Sequence, residues 1–593
     1  MTIRMQHRSP PSALRRTLNR ALLLGVVLWP AVLTAQAIPG VTFQLLHTFQ
    51  GYPNDGQGPL ARLILDGAGN LYGTTVIGGT YDWGVIFKLD TAGDEKVLYN
   101  FTGGADGATP GFSGLILDMA GNLYGTAWQG GNDCGIGTCG VVFKVDTAGN
   151  ESVLYAFNEN DGLNPFASLF RDSAGNLFGT TQFGGDSGHG VVFKLDPTTS
   201  KETVLYSFTG GADGGQPSAE LIQDSAGNFY STTQSGGDFT HHYCTAAGCG
   251  AVSKLDPATG TETVLYAFTG GADGFDPSGG LVQDAADNFY GTTGAGGAPC
   301  AQLGSLGCGV VFKLDPMIGQ ETVLHTFTGG LDGAGPYGTL LLDKTGILYG
   351  VAIEGGQSCQ AGCGVVFQVD SATGQQTVLY SFTGGADGYA PEGGLIQDAA
   401  GNFYGTTGFG NGTVFKLTLT PEFSLSASAL SPDTLSPGQA STATVGVASI
   451  GGFSDSVNLS CSVQPTPALA PQCSIVSSTN PRTSVTLTVR TAGPTAALHS
   501  NTGFGLSYAS WIPLIGLVMG GVGFGSEQKR KKKIPTLTCL LIGSLVFLVA
   551  CGGGGSSGGG HSSSGTPVGA YTITVTATSG SLMHSTTTTL TVQ

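Results

Sequence analysis

Thr377–Leu417 reads TVLYSFTGGADGYAPEGGLIQDAAGNFYGTTGFGNGTVFKL, and the same sentence runs through the chain seven times. Its Asp-Gly-x-x-Pro landmark recurs at Asp55, Asp106, Asp161, Asp213, Asp273, Asp332 and Asp387, in steps of 51, 55, 52, 60, 59 and 55 residues. Self-similarity near this period, with several short strands per copy, is the signature of a β-propeller. An all-β, seven-bladed propeller is therefore expected over residues 38–420. In the second copy, strand a is Gly114–Asp118, strand b Asn122–Thr126, strand c Gly140–Asp146 and strand d Ser152–Phe157. The a–b link, Asp-x-Ala-Gly-Asn, is a tight hairpin whose Gly and Asn tolerate positive φ. The c–d link is equally short, as at Asp196-Pro-Thr-Thr-Ser.

The order of the pieces predicts how the ring closes. Val41–Phe49 is a d-type strand that precedes the first landmark, and Gly412–Leu417 is a c-type strand with no d strand after it. The amino-terminal strand should therefore complete the last blade, removing the free edges of an open array. Because strands alternate in direction, the short a–b and c–d turns share one face. The longer b–c and d–a loops share the other, which is where a rigid scaffold usually carries a binding site. The seven landmark aspartates lie in the d–a loops. They are read either as turn chemistry that every blade needs or as carboxylates lining a ligand or calcium site.

Four cysteine pairs fall in matching b–c loops: Cys134/Cys139, Cys244/Cys249, Cys300/Cys308 and Cys359/Cys363. They are expected as disulfides that staple these longer loops, with Cys461/Cys473 as a fifth. No four-ligand zinc pattern repeats with them, although His241 and His242 lie near Cys244 and Cys249. Such disulfide density belongs outside the cytosol. Arg4, Arg8, Arg15, Arg16 and Arg20, then the apolar Ala21–Leu33 and Ala35-Gln36-Ala37, form a signal-peptide pattern over residues 1–37. The net charge of −17 offers no basic surface for nucleic acid.

Beyond residue 420 the repeat stops and Ser, Thr, Val and Pro take over. Residues 421–492 read as the first part of an Ig-like sandwich and 569–593 as its closing strands. Between them, 493–568 carries two apolar runs, 507–525 and 534–550, around Lys529-Arg530-Lys531-Lys532-Lys533. This predicts a transmembrane hairpin with both ends outside. Cys551, after Leu548-Val549-Ala550 and before a Gly/Ser linker, is an alternative lipidation site, and the first run plus its basic cluster also reads as a sorting tail. Each alternative makes the membrane a partner of the chain.

The DGxxP, GNLYGTT and GVVFKLD elements, kept in one order over residues 41–418, resemble the repeats of GloVer-type "choice-of-anchor" bacterial surface proteins. The GNLY hairpin is also similar to NHL-type propeller repeats. Departures are Ser231 for Gly, Ser253 for Phe, and the looser Leu348 and Gly350-Val351. The resemblance implies an exported, anchored propeller with no assigned catalytic residues and no cofactor. Three functions are compatible: a binding or adhesion module for a glycan, peptide or envelope protein; a glycan-active hydrolase or lyase; or a purely structural surface protein. The acidic positions repeat from copy to copy, so no carboxylate pair stands out as catalytic. The unlike residues His189, His241 and Glu220 read as exposed loop positions.

Overall fold

The computed structural model describes residues 39–494 and 565–593, apart from 135–138, 242–243, 245–246, 301–305, 358 and 360–361. The signal-peptide pattern, both apolar runs and Cys551 lie outside the described residues. Among the described residues no helix is long and apolar enough to cross a membrane. The chain forms two compact units. Among the described residues, the first holds 39–425, 446–456 and 480–483, and the second holds 426–445, 457–479, 484–494 and 565–593.

The first unit is a repeat β-propeller. Its sheets each run a-b-c-d as an antiparallel meander, for example Ile116–Leu117, Leu123–Ala127, Val141–Val145 and Glu151–Ala156. Seven such sheets are present among the described residues, the third and fourth each with one extra short strand. Val41–Thr48 lies antiparallel to Thr413–Leu419, with Val41 opposite Leu419 and Thr48 opposite Thr413. The first strand among the described residues thus completes the last sheet. The c–d pairings of all seven sheets carry a register shift, as between Val142 and Phe143 or between Leu45 and His47. A bulge at one level increases local twist, which helps sheets stack face to face.

Adjacent sheets are joined by one repeated aromatic contact. The strand-c Phe meets the Phe closing the preceding strand d: Phe49–Phe87, Phe101–Phe143 and Phe157–Phe193 have centroids 4.9, 5.1 and 5.0 Å apart. The same edge-on pairing recurs at Phe268–Phe312, Phe327–Phe367 and Phe382–Phe415. Opposite each strand-c Phe, strand b must carry Gly. A Cβ on Gly125 would lie 2.6 Å from the Phe143 ring, and one on Gly405 would lie 2.6 Å from Phe415. The fourth copy breaks both rules together. Ser231 and Ser253 are cross-strand partners, so the smaller strand-c residue makes room for a strand-b Cβ. The two departures are one compensated event.

The second unit is a two-sheet sandwich. Val457–Gln464 pairs with Gly569–Ser579 along its length, and Gly569–Ser579 pairs with Leu582–Val592. Both carboxy-terminal strands are thus integral to the sandwich. Leu487, Val489, Ile573, Val575, Leu590 and Val592 are buried in it, and the Cys461–Cys473 disulfide joins its two sheets.

Candidate functional site

Each strand a is preceded by three residues that turn the chain inward, and these triplets from all seven copies meet around one cavity of about 190 Å³. Close approach there demands small side chains. A Cβ on Gly393 would lie 2.5 Å from the Ala61 carbonyl oxygen, and one on Gly338 would lie 2.6 Å from the Gly394 nitrogen. Hydroxyl groups tie neighbouring triplets together. Ser168 Oγ accepts from the Gly114 N–H at 2.9 Å and Thr339 Oγ1 from the Gly280 N–H at 3.0 Å.

The first and last positions of the triplets are where the seven copies stop agreeing. The first positions are Leu60, Phe112, Phe166, Ser218, Ser278, Tyr337 and Glu392. One arc of the ring is therefore apolar and aromatic and the other polar. Phe112 and Phe166 stack at 5.0 Å. Trp128 meets Phe112 edge-on at 5.8 Å, and its indole Nε1 is buried with no hydrogen-bond partner. On the polar arc Ser218 Oγ is likewise buried and unpartnered. At the last position the two ionisable residues, Arg62 and Glu220, pair at 3.4 Å between the first and fourth copies. Both also line a second cavity of about 620 Å³, formed by strand-a residues such as Ile116, Phe170 and Ile222. The ion pair stands between the two cavities. Glu220 is thus a cavity residue rather than the exposed loop position expected for it.

The cavity lies on the side of the d–a loops, and its polar side is electrostatically unusual. Burial raises the carboxyl of Glu392, which lines the cavity, and pushes up to about 6 that of Asp276, which lies behind the lining, two residues before Ser278. Burial, reinforced by the nearby Asp276, Glu392 and Glu354 carboxylates, raises the Tyr337 phenol. A carboxyl that keeps its proton at mildly acidic pH can donate as well as accept. Exposed rings stand on the d–a and b–c loops of adjacent copies: Tyr52 and Tyr389 on d–a loops, and Tyr81, Trp83 and Phe409 on b–c loops, with Tyr389 stacked on Phe409 at 5.8 Å.

The seven landmark aspartates are placed one to a loop, and each accepts hydrogen bonds inside it. Asp213 accepts from Tyr206 OH at 3.0 Å, Thr209 N at 2.7 Å and Thr209 Oγ1 at 2.5 Å. Asp273 and Asp387 repeat this set and add Gly271 N and Gly385 N, each at 3.2 Å. Asp106 is held by Tyr99 and Thr102, Asp161 by Tyr155 and Asn158, Asp332 by Thr328 and His325, and Asp55 by Gln50, Gly56 and His47. Such carboxylates clamp the loop to strand d. Five of them also face a glutamate opening the next strand d. Burial and that facing charge push Glu95, Glu151, Glu202 and Glu321 up to about 7.

All five expected disulfides are present: Cys134–Cys139, Cys244–Cys249, Cys300–Cys308, Cys359–Cys363 and Cys461–Cys473. Together they mark an oxidising, extracytoplasmic compartment. Four of them staple the b–c loops as expected, and they do so from within the core. Cys139, Cys244, Cys249 and Cys308 are fully buried, and Cys134, Cys300 and Cys363 nearly so. Cys139 packs in the core beside Val142, Phe157 and Leu163, and Cys308 beside Val311, Phe327 and Ala334. The physical reason is that a bonded sulfur is small and apolar, and it behaves as core once it sits next to strand c. None of these cysteines is therefore available to line a ligand site.

The b–c disulfides have an equivalent in copies that lack them. The Cys359–Cys363 sulfurs cover Gly384 of the following d–a loop, the Trp83 indole covers Gly103, and the His189 ring covers Gly210. His189 is consequently half-buried, whereas His241 is exposed beside Asp238.

No curated protein matches the chain. Among solved structures it is similar to a gluconolactonase from Xanthomonas campestris at 14% identity. That match covers 64% of this chain and 90% of that one, with a TM-score of 0.32. It is also similar to a protein of unknown function from Dyadobacter fermentans at 10% identity, covering 65% and 100%, with a TM-score of 0.32. The Gloeobacter/Verrucomicrobia repeat profile matches residues 34–244 and again 239–456. These two matches take in the whole of the repeated sentence, and the chain belongs to the Gloeobacter/Verrucomicrobia repeat family.

Proposed function

We propose that this chain is a seven-bladed propeller with an Ig-like companion domain, held at the outer face of the cell envelope by its carboxy-terminal apolar segments. Its role is to bind a glycan in the axial cavity. The observation that carries this reading is the divided ring of first-position residues. A sugar presents an apolar face of C–H groups and a rim of hydroxyls. The Phe112–Phe166 arc suits the former, and Ser218, Ser278 and Glu392 suit the latter. The exposed rings around the loops extend the same chemistry to a longer chain.

The full exported chain, screened against soluble glycans, should give saturable binding. Phe166→Ala or Arg62→Ala should weaken it roughly tenfold or more, about 1.4 kcal/mol. Binding of no glycan, with capture of a peptide or envelope protein instead, would remove the glycan reading. One observation favours a second reading, a glycan-active hydrolase or lyase. Two carboxyls raised by burial, Glu392 in the cavity lining and Asp276 beside the lining Tyr337, are candidates for general acid–base work. Release of a shortened or unsaturated glycan by the wild-type chain but not by Asp276→Asn would establish it.

A further inference from the structure

The contacts between successive strands d repeat one three-residue pattern: an aromatic on strand d, the landmark aspartate after it, and the residue opening the next strand d. In four copies the set is Tyr, Asp, Glu, as in Tyr99, Asp106 and Glu151. His325 and Asp332 are followed by Gln376, whose amide binds the Asp332 carbonyl, and Tyr380 and Asp387 are followed by Phe43, which stacks on Tyr380. Among the described residues, only the seam where the closing strand meets the first sheet combines His, Asp and Glu. There the ligand atoms of His47, Asp55 and Glu95 all lie within 4.8 Å of one another.

We propose that His47, Asp55 and Glu95 form a site for a divalent first-row transition ion of zinc type, clasping the closing strand to the first sheet. The donor set is one imidazole nitrogen and two carboxylates, which leaves the fourth position of a tetrahedral ion to water. This suits zinc or a neighbour in the series, whereas calcium requires six to eight oxygens. Two ligands of a tetrahedral ion bound at about 2.0 Å stand roughly 3.3 Å apart, and His47 Nε2 lies 3.3 Å from Asp55 Oδ2. The ligands are held in advance. Gly56 N donates to Asp55 Oδ1 at 2.6 Å and Gln50 N to Oδ2 at 2.7 Å, while the His47 ring is set edge-on against Phe49. Glu95 Oε1 is buried and accepts no hydrogen bond. An ion would neutralise the two carboxylates, and any ion that binds only the folded ring stabilises it by mass action.

The test uses the full exported chain, freed of metal by chelation and titrated with zinc chloride. One ion per chain and a rise of several degrees in Tm are expected, with no comparable response to calcium chloride. His47→Tyr installs the residue that the other seams tolerate, so it should fold and keep its metal-free Tm while losing zinc affinity at least a hundredfold. Glu95→Gln should do the same. Absence of zinc binding in the wild-type chain, or binding that survives both substitutions, overturns the proposal.

Discussion

The landmark aspartates and the glutamates that face them make opposite contributions to stability. Asp213 holds three donors in its loop, so Asp213→Ala leaves Tyr206 and Thr209 without their acceptor. It should cost about 1–3 kcal/mol in urea unfolding. Glu202 works the other way. Its folded pKa of about 7 stands above the 4.5 of an unfolded glutamate, so folding takes up a proton within that window. Stability then falls as pH rises from about 4.5 to about 7. Glu202→Gln should therefore stabilise the chain at pH 8, by about 1–2 kcal/mol once solvent screening at this half-buried site is allowed for. It should have little effect at pH 4. Equal effects at both pH values would show that the carboxylate is not titrating there. The loop-holding role of the aspartates is one of the two readings the sequence allows, whereas the glutamate of the next copy is set against each Asp only by the packing of neighbouring sheets. The cysteines show the same limit. Their spacing predicts which pairs bond, whereas the burial of Cys139 and Cys308 depends on strand d and the neighbouring sheet closing over them.

At the scale of strands, much of the design was legible because it repeats. Val41–Phe49 could be assigned to the last sheet because it is a d strand lying ahead of the first landmark. The two carboxy-terminal strands could be assigned to the sandwich because they share the composition of the strands at 421–492. The c–d register shift was invisible, because it changes pairing without changing composition. Ser231 and Ser253 could be seen as departures, but only their cross-strand pairing makes them one event. That pairing predicts strong coupling. Ser253→Phe alone should drive the new ring into the Ser231 Cβ and destabilise. Combined with Ser231→Gly, it should restore the seam against Phe208 and raise stability above wild type. A double-mutant cycle should give a favourable coupling of about 1–3 kcal/mol. Additive effects would mean that the two serines are independent. At a seam that keeps the rule, Phe143→Ala should cost about 3–5 kcal/mol, since the ring is fully buried.

For the whole molecule, regularity and function divide the same sequence between them. Repetition builds the scaffold, so searching for what the copies share finds the fold and passes over the axial positions, where they differ. Glu220 illustrates the loss. As one unlike residue in one copy it reads as loop variation, and only ring closure sets it against Arg62. Aligning the copies and asking where they disagree would have pointed to Leu60, Phe112, Phe166, Tyr337 and Glu392. Seven repeated loops and one shared axis also predict different stoichiometries. The most direct test is isothermal titration of the full exported chain with the tightest-binding glycan from the screen. A single axial site predicts one ligand per chain, with binding lost in Phe166→Ala and retained in Asp213→Ala. Several equivalent ligands per chain, or binding lost in Asp213→Ala and kept in Phe166→Ala, would place recognition in the repeated loops and contradict the axial site.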